Sequence, residues 1–382
     1  MEEQYTLRLQ KIEAVIEKWL PEKPDSAWLK MVFPFAGITG EGEQIPLNLA
    51  ASLTRPSWDL VSRGGKRWRP LLMVLTAEAV AGERGAEAAL PLTPLVEFCH
   101  NASLIHDDIE DSSEVRRGKP AVHLIYGMDS AINSGAFMYF LPLACLQAWA
   151  EENRPERRDP EFVQRIWTAW GSHMRALHLG QAMDIAWHRD FYSIPSLDEY
   201  DRMCRLKTGC LARLAAVLGV YCAGVEGQLI HLADYLAAAA ECLGVGFQIL
   251  DDVKNLVSGV PGKKRGDDIV EGKKSLPVLL YLHRYPEKRD FVARCFTAAR
   301  SSGVAAPEVE EIIGELTKAG VLEEAREKAL GYINSFASSQ TQAAGIMTAA
   351  DSANPDSHRD ISQFSPKKEG LSLLAGLIDL IS

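Results

Sequence analysis

The chain has 382 residues, of which 47% are hydrophobic and 24% charged. These are ordinary globular proportions, and the length allows two or three domains or one large helical one. A net charge of −10 argues against a nucleic-acid binder, which wants a basic face, but leaves room for a local basic pocket holding a phosphorylated small molecule.

In chain order, the acidic N-terminus has no apolar core and does not read as a signal peptide. Residues 5–20 carry a helical stripe (Leu7, Ile12, Val15, Ile16, Trp19) that ends before Pro21. Residues 34–47 are rich in Gly and Pro and predict a loop. From 48 to about 335 the pattern is helical almost throughout. Breaks are expected at Gly82–Gly85, Arg116–Pro120, Asn153–Pro160, Tyr192–Pro195, Gly224–Gly227 and Ser258–Gly266. Residues 338–368, rich in Ser, Gln, Ala and Asp, predict a mobile loop. The terminal segment GLSLLAGLIDLIS predicts a short apolar helix that docks on the body. The expected organisation is therefore an N-terminal helix and loop (1–47), a helical catalytic domain (48–335) and a flexible segment with a C-terminal helix (336–382). No apolar run approaches the ~18 residues of a membrane span. The seven cysteines are scattered and form no C-x-x-C pair, which fits reduced thiols in the cytoplasm.

Residues 104–120, LIHDDIEDSSEVRRGKP, place Asp107, Asp108 and Asp111 after an apolar run and before Arg116 and Arg117. On a helix Asp107 and Asp111 stand one turn apart, and like charges there cost a few tenths of a kcal/mol. A divalent cation turns that cost into a gain. Mg²⁺ suits the pattern, because it is held by one or two carboxylates, waters and phosphate oxygens. The guanidinium forks supply the phosphate-binding half. The alternative reading is a solvated acidic helix end followed by a basic loop.

A second acidic stretch, GFQILDDVKN (246–255), carries Gln248, Asp251, Asp252 and Asn255, with Lys263 and Lys273 beyond it. Carboxylate-bearing helices that face each other in a bundle are a recurrent way to build a metal site. Lesser signals lie between. GGKRWRP (64–70) sets two glycines before Lys66, Arg67 and Arg69. His100 lies two turns before Asp107, on its face. Gln181 and Asp184 are one turn apart, and Lys207 and Thr208 interrupt an apolar helix. Each of these alone is also compatible with surface or core packing.

Taken together, GGKRWRP, His100, DDIED with RRG, GQAMD, KTG, FQILDD and GKKRGDD-EGKKSLP resemble, in order and spacing, the trans-isoprenyl diphosphate synthases, or polyprenyl synthetase family. The resemblance spans roughly residues 50–335. HNASLIHDDIEDSSEVRRGKPAVHLIYGMDSAINS and DDVKN look most like geranylgeranyl diphosphate synthases of the eukaryotic kind. Asn255 departs from the Asp that most of the family carries at the end of the second motif.

The resemblance implies an all-α fold, a single large helical bundle around a central active-site cavity. It implies that Lys66, Arg69, His100 and Arg117 bind the diphosphate of isopentenyl diphosphate. Arg116, Lys207, Lys263 and Lys273 would bind the allylic diphosphate (dimethylallyl, geranyl or farnesyl), with Thr208 and Gln248 close by. Asp107 and Asp111 would coordinate Mg²⁺ and Asp251 a further ion, three per site in all, with Asp108, Asp252 and Lys207 in the catalytic set. A homodimer is implied as well. Small residues at Ala102 and Ser103 leave a path for the growing tail, and Tyr139, Phe140 and His178 match positions that close it. The expected product is geranylgeranyl diphosphate, with longer polyprenyl or farnesyl products as alternatives. A class I terpene cyclase would need an Asn-Ser-Glu-type second motif, and a non-catalytic synthase subunit would have lost acidic residues that are present here.

Overall fold

A computed structural model describes residues 2–34, 46–151, 160–224, 230–259, 264–353 and 368–381. The expected breaks at 34–47, Asn153–Pro160 and Gly224–Gly227 fall largely outside these residues, and that at Ser258–Gly266 does so in part. The described chain is all-α. Its helices are α1 (Glu2–Trp19), α2 (Ser26–Val32), α3 (Leu47–Ser62), α4 (Trp68–Ala89), α5 (Pro94–Glu110), α6 (Val122–Tyr126), α7 (Met128–Glu151) and α8 (Pro160–Arg189). They continue as α9 (Leu197–Cys204), α10 (Cys210–Cys222), α11 (Ile230–Val257), α12 (Asp267–Glu271), α13 (Leu276–Arg284), α14 (Arg289–Ser302), α15 (Pro307–Lys318), α16 (Val321–Ala353) and α17 (Lys368–Ile381). Among the described residues the only strands are a two-residue antiparallel pair, β1 (Val115–Arg116) and β2 (Lys119–Pro120).

The chain divides into two compact units. The first comprises 1–172, 214–237 and 340–382, and the second 173–213 and 238–339.

In the first unit α4 is apolar on nearly every side and accordingly buried, with Leu71, Leu72, Met73 and Leu75 at most 1% exposed. The expected break at Gly82–Gly85 is a kink. Gly82 takes φ 65°, between two helical stretches. Helix α5 starts with Pro94, pre-set for the first helical position, and packs on α7. A Cβ at Gly135 of α7 would lie 2.8 Å from His106 Nε2, so a larger residue there would displace the His106 ring. Helix α7 is long and apolar enough to cross a membrane by length and composition alone, yet half of its most apolar window is buried within the fold. The C-terminal α17 lies on α4. Leu373, Leu374 and Leu377 are buried, Gly370 abuts Ala79, and Tyr5 Oη donates to the Leu373 carbonyl at 2.7 Å.

In the second unit one apolar core joins α9, α11, α13, α14, α15 and α16 through residues such as Tyr200, Ile249, Tyr281, Phe296 and Ile312. The loop expected over 338–368 instead begins as helix, because α16 runs on to Ala353. Its Ala and Gln residues are good helix formers, which a reading by composition underweights. Residues 354–367 lie outside the described residues.

Candidate active site

The first cluster lies wholly in the first unit, and backbone conformation builds it. In GGKRWRP, Gly64 (φ 87°), Gly65 (φ 150°) and Arg67 (φ 47°) all take positive φ before α4 begins at Trp68. Left-handed backbone at a non-glycine residue is costly and persists only where the surroundings enforce it. The Arg67 side chain supplies that enforcement. It turns inward to Glu97 (2.9 Å), Glu13 (2.8 Å) and the Val61 carbonyl (2.6 Å). Burial lowers its pKa, but the two carboxylates more than offset this and leave it raised. Arg67 is thus an internal brace, while Lys66 is exposed. Arg69 lies over the Trp68 ring (4.4 Å) and points Nη1 at His100 Nε2, 3.4 Å away. Because a guanidinium can only donate, this contact puts the imidazole proton on Nδ1.

The β1–β2 hairpin turns through Arg117 (φ 52°) and Gly118 (φ 76°), the φ signs of a tight two-residue hairpin loop. Arg63, itself held by Asp59, donates to the carbonyls of Arg116 (2.9 Å) and Pro120 (3.0 Å) and locks the hairpin. Arg117 donates to the Leu60 carbonyl at 2.9 Å. A Cβ at Gly65 would stand 3.2 Å from its Nη2. Arg63, Arg67, Arg69, Arg116 and Arg117 therefore gather in one region. Burial lowers the Arg117 pKa to about 10; Glu97 opposes this, and Arg67, Arg116 and Arg63 add to it. His100 is held well below its usual pKa by burial, then by Arg69, Arg117, Arg67 and Arg116. A neutral histidine among crowded guanidiniums is an arrangement that an anion would stabilise.

The carboxylates stand beside these cations. Helix α5 ends at Glu110, and Asp111 caps it, its N–H donating to the Asp107 carbonyl at 2.8 Å. The one-turn spacing of Asp107 and Asp111 survives, with Asp111 at the cap position just past the last helical residue. Acidic side chains at a helix C-terminus oppose the helix dipole by about 0.3–1 kcal/mol each. Asp108 is the exception among them. It is 0% exposed, and its Oδ1 takes two N–H groups from Arg116, the Nε contact at 2.7 Å. Asp107 is half-buried, 3.5 Å from the same guanidinium.

Along the tail path, Ala102 is fully buried and Ser103 returns its hydroxyl to the His100 carbonyl (2.7 Å). Tyr139 is buried with its ring 5.7 Å from His106. Phe140, expected beside it, is 65% exposed. Adjacent residues on a helix point about 100° apart, so one faces α5 and the other faces outward.

The second cluster lies wholly in the second unit. RLKTG, expected inside a regular helix, is a π turn, Arg205–Gly209, between α9 and α10. Such one-turn insertions concentrate at functional sites. Close approach shapes it. A Cβ at Gly180 would lie 2.4 Å from Lys207 N, and one at Gly244 would lie 2.8 Å from Gly209 Cα. Lys207 Nζ meets Asp184 at 2.6 Å. Thr208 Oγ1 donates to Gln248 Oε1 (2.7 Å), and Gln248 Nε2 donates to Asp252 Oδ1 (2.9 Å). Tyr200 Oη donates to Asp252 Oδ2 at 2.7 Å. Asp252 is buried with both oxygens engaged, while Asp251 is exposed. Burial, with buried Asp268 adding to it, pushes the Asp252 carboxyl up to about 7. Lys273 Nζ lies 2.7 Å from Glu271. Gln181 is half-buried and His178 exposed on α8. Lys263 lies outside the described residues.

Sequence reasoning missed Tyr200, Glu97 and Arg63. Their partners stand 52, 30 and 53 residues away, and no local spacing marks them.

Among the described residues no three His, Cys, Asp or Glu side chains gather closely enough to hold a metal by themselves. Paired hard-oxygen donors beside a phosphate-type anion site fit Mg²⁺, which completes its shell with waters and substrate oxygens.

An all-α chain with arginine-rich anion binding beside paired aspartates defines a class of diphosphate-handling helical enzymes. Within that class, residues 50–314 match the polyprenyl synthetase family model. The chain belongs to the polyprenyl synthetase family, and it is a trans-prenyltransferase of isoprenoid biosynthesis. It is 36% identical over 231 residues to a geranylgeranyl pyrophosphate synthase of Eremothecium gossypii, covering 59% of this chain and 68% of that protein. It is 32% identical over 295 residues to a geranylgeranyl diphosphate synthase of Methanosarcina mazei (76% and 84% covered). It is 33% identical over 245 residues to a geranylfarnesyl diphosphate synthase of Aeropyrum pernix (63% and 73%). The crystal structure of geranylgeranyl pyrophosphate synthetase from Pyrococcus horikoshii superposes with a TM-score of 0.74 at 26% identity, covering 100% of this chain and 98% of that one.

Proposed function

We propose that the chain condenses isopentenyl diphosphate with an allylic diphosphate (dimethylallyl, geranyl or farnesyl) to make geranylgeranyl diphosphate, with Mg²⁺ as its cofactor. The observation that carries this reading is the crowd of guanidiniums around a neutral His100, beside the carboxylates that end α5. Lys66, Arg69, His100 and Arg117 bind the isopentenyl diphosphate. Arg116, Lys207, Lys263 and Lys273 bind the allylic diphosphate, with Thr208 and Gln248 close to it. Asp107 and Asp111 hold magnesium, and Asp251 holds a further ion. When bound, the metal offsets the charge that develops on the leaving diphosphate.

The chain's own cations act on the same charge. As the allylic carbon–oxygen bond breaks, the bonding pair leaves with the diphosphate, and the cationic side chains of Arg116, Lys207 and Lys273 stabilise the charge. The isopentenyl double bond then attacks the allylic cation to form the new carbon–carbon bond. A proton leaves the adjacent carbon and restores a double bond, and the released diphosphate is the base that takes it. The buried Ala102 and the ring of Tyr139 help keep water from the cation.

Tyr139 sets the floor of the tail path on α7. Small side chains at 102 and 103 support a longer product as the second reading, which accords with the geranylfarnesyl name of one relative. The enzyme is a homodimer joined through the apolar face of α6 and α7, where Leu124, Ile125, Met128, Ile132 and Phe140 are 46–65% exposed. All seven cysteines are free thiols, which supports a reducing, cytoplasmic setting.

The test is incubation of the pure protein with Mg²⁺, isopentenyl diphosphate and each allylic starter in turn, with products read by mass spectrometry. A C20 diphosphate is expected from all three starters. No elongated product from any of them would sink the reading.

A further inference from the structure

Asn255 stands one helical turn beyond Asp251 on α11. Its side chain is 0% exposed, and both ends of the amide are engaged. Oδ1 accepts the Asp268 backbone N–H at 3.1 Å, and Nδ2 donates to the Lys264 carbonyl at 3.4 Å. The Asn255 backbone carbonyl accepts the Gly266 N–H at 3.1 Å. All three contacts go to the turn Lys264–Asp268, which leads into α12. From that turn the connection runs on. The Asp268 carbonyl accepts the Lys273 N–H at 2.9 Å, and Lys273 Nζ lies 3.7 Å from Asp268 Oδ1.

The oxygen is the only atom of an amide that ligates a hard cation. Here it is turned into the fold and occupied by a backbone N–H. An aspartate at this position would keep the acceptor but lose the donor to Lys264. It would also bury a second charge three residues from Asp252 and next to Asp268, both of them buried.

We infer that Asn255 is a positioning residue rather than a magnesium ligand: it fixes the Lys264–Asp268 turn and so sets where Lys273 meets the allylic diphosphate. The role of Lys273 rests on the function proposed above; the structural part, Asn255 as a clamp, does not. The turn has other anchors. Arg265 Nε donates to the Leu256 carbonyl at 3.0 Å and its guanidinium pairs with Glu310, while a Cβ at Gly266 would lie 2.5 Å from Val309. Variants at 255 therefore fold, with the turn loosened.

The experiment has two arms, run on Asn255→Ala and Asn255→Asp. The first is thermal melting of the full-length protein in EDTA, where no metal contributes. Both variants are expected to melt below wild type, and an unchanged midpoint in both would overturn the clamp. The second is steady-state kinetics. In Asn255→Ala, KM for the allylic diphosphate is expected to rise about tenfold, while KM for isopentenyl diphosphate and the half-saturating Mg²⁺ stay within about twofold. A tenfold rise in half-saturating Mg²⁺, or equal rises in both substrate KM values, would overturn the inference. If wild type itself shows no turnover, the proposed function fails, and the melting arm still decides whether Asn255 is a clamp.

Discussion

Each unit carries an adjacent aspartate pair near the end of a long helix, Asp107–Asp108 on α5 and Asp251–Asp252 on α11, and the two pairs share one division of burial while relying on opposite chemistry. In the first, Asp107 is half-buried and Asp108 fully buried; in the second, Asp251 is exposed and Asp252 buried. The inner member of each pair is bonded within the protein, and the outer member is the one we propose meets the ligand. Asp108 is neutralised by the Arg116 guanidinium. Asp252 has a phenol and an amide instead, Tyr200 and Gln248, and a buried carboxylate, Asp268, among its neighbours. In both of these pairs the buried aspartate is secured by whatever donor the local fold provides.

This contrast can be broken experimentally. The largest effect is expected at the outer members. Asp107→Ala should lower kcat by at least about a hundredfold, as removal of a group that stabilises developing charge does, with the circular dichroism spectrum unchanged. The inner members should separate by stability. Asp108→Asn removes a buried charge from its partner and should cost about 3–5 kcal/mol in urea unfolding at pH 7.5. Asp252→Asn replaces a carboxyl already pushed up to about 7 and keeps an acceptor for Tyr200, so it should cost less than about 1 kcal/mol. Equal losses in the two variants would contradict the division.

His100 gives the first cluster a pH signature. Its folded pKa lies below its unfolded value of about 6.5, so the unfolded chain binds the extra proton first as pH falls. Its contribution to stability is fully present above pH 6.5 and is lost below it. Wild type should lose about 1 kcal/mol more than His100→Gln between pH 7.5 and 5.5, measured by urea unfolding at each pH. The smallest energetic change is expected at the tail path, where Tyr139→Ala should shift products beyond C20 by mass spectrometry, and an unchanged distribution would remove Tyr139 as the floor.

What the sequence made legible follows from distance along the chain. Asp107, Asp111, Asp251 and the following cations are spaced within one or two helical turns or one loop, so residue type and period were enough to mark them. The Tyr200–Asp252, Arg67–Glu97 and Asn255–Asp268 contacts join residues that meet only after folding. Nothing local distinguishes Arg67, a brace, from Arg69 two positions on, because a left-handed φ at 67 decides which of them turns inward. The π turn at Arg205–Gly209 escaped because its residues also suit a regular helix; close glycine approaches at 180, 209 and 244 accompany it. Tyr139 and Phe140 looked equivalent until helix phase put one against α5 and the other outside.

The most direct test of the central claim, that the outer aspartate binds metal and the inner one binds the protein, is to count bound Mn²⁺ by electron paramagnetic resonance in the presence of inorganic diphosphate. Asp251→Asn should bind one ion fewer than wild type, and Asp252→Asn should bind the same number. Loss of an ion in Asp252→Asn together with full occupancy in Asp251→Asn would contradict it.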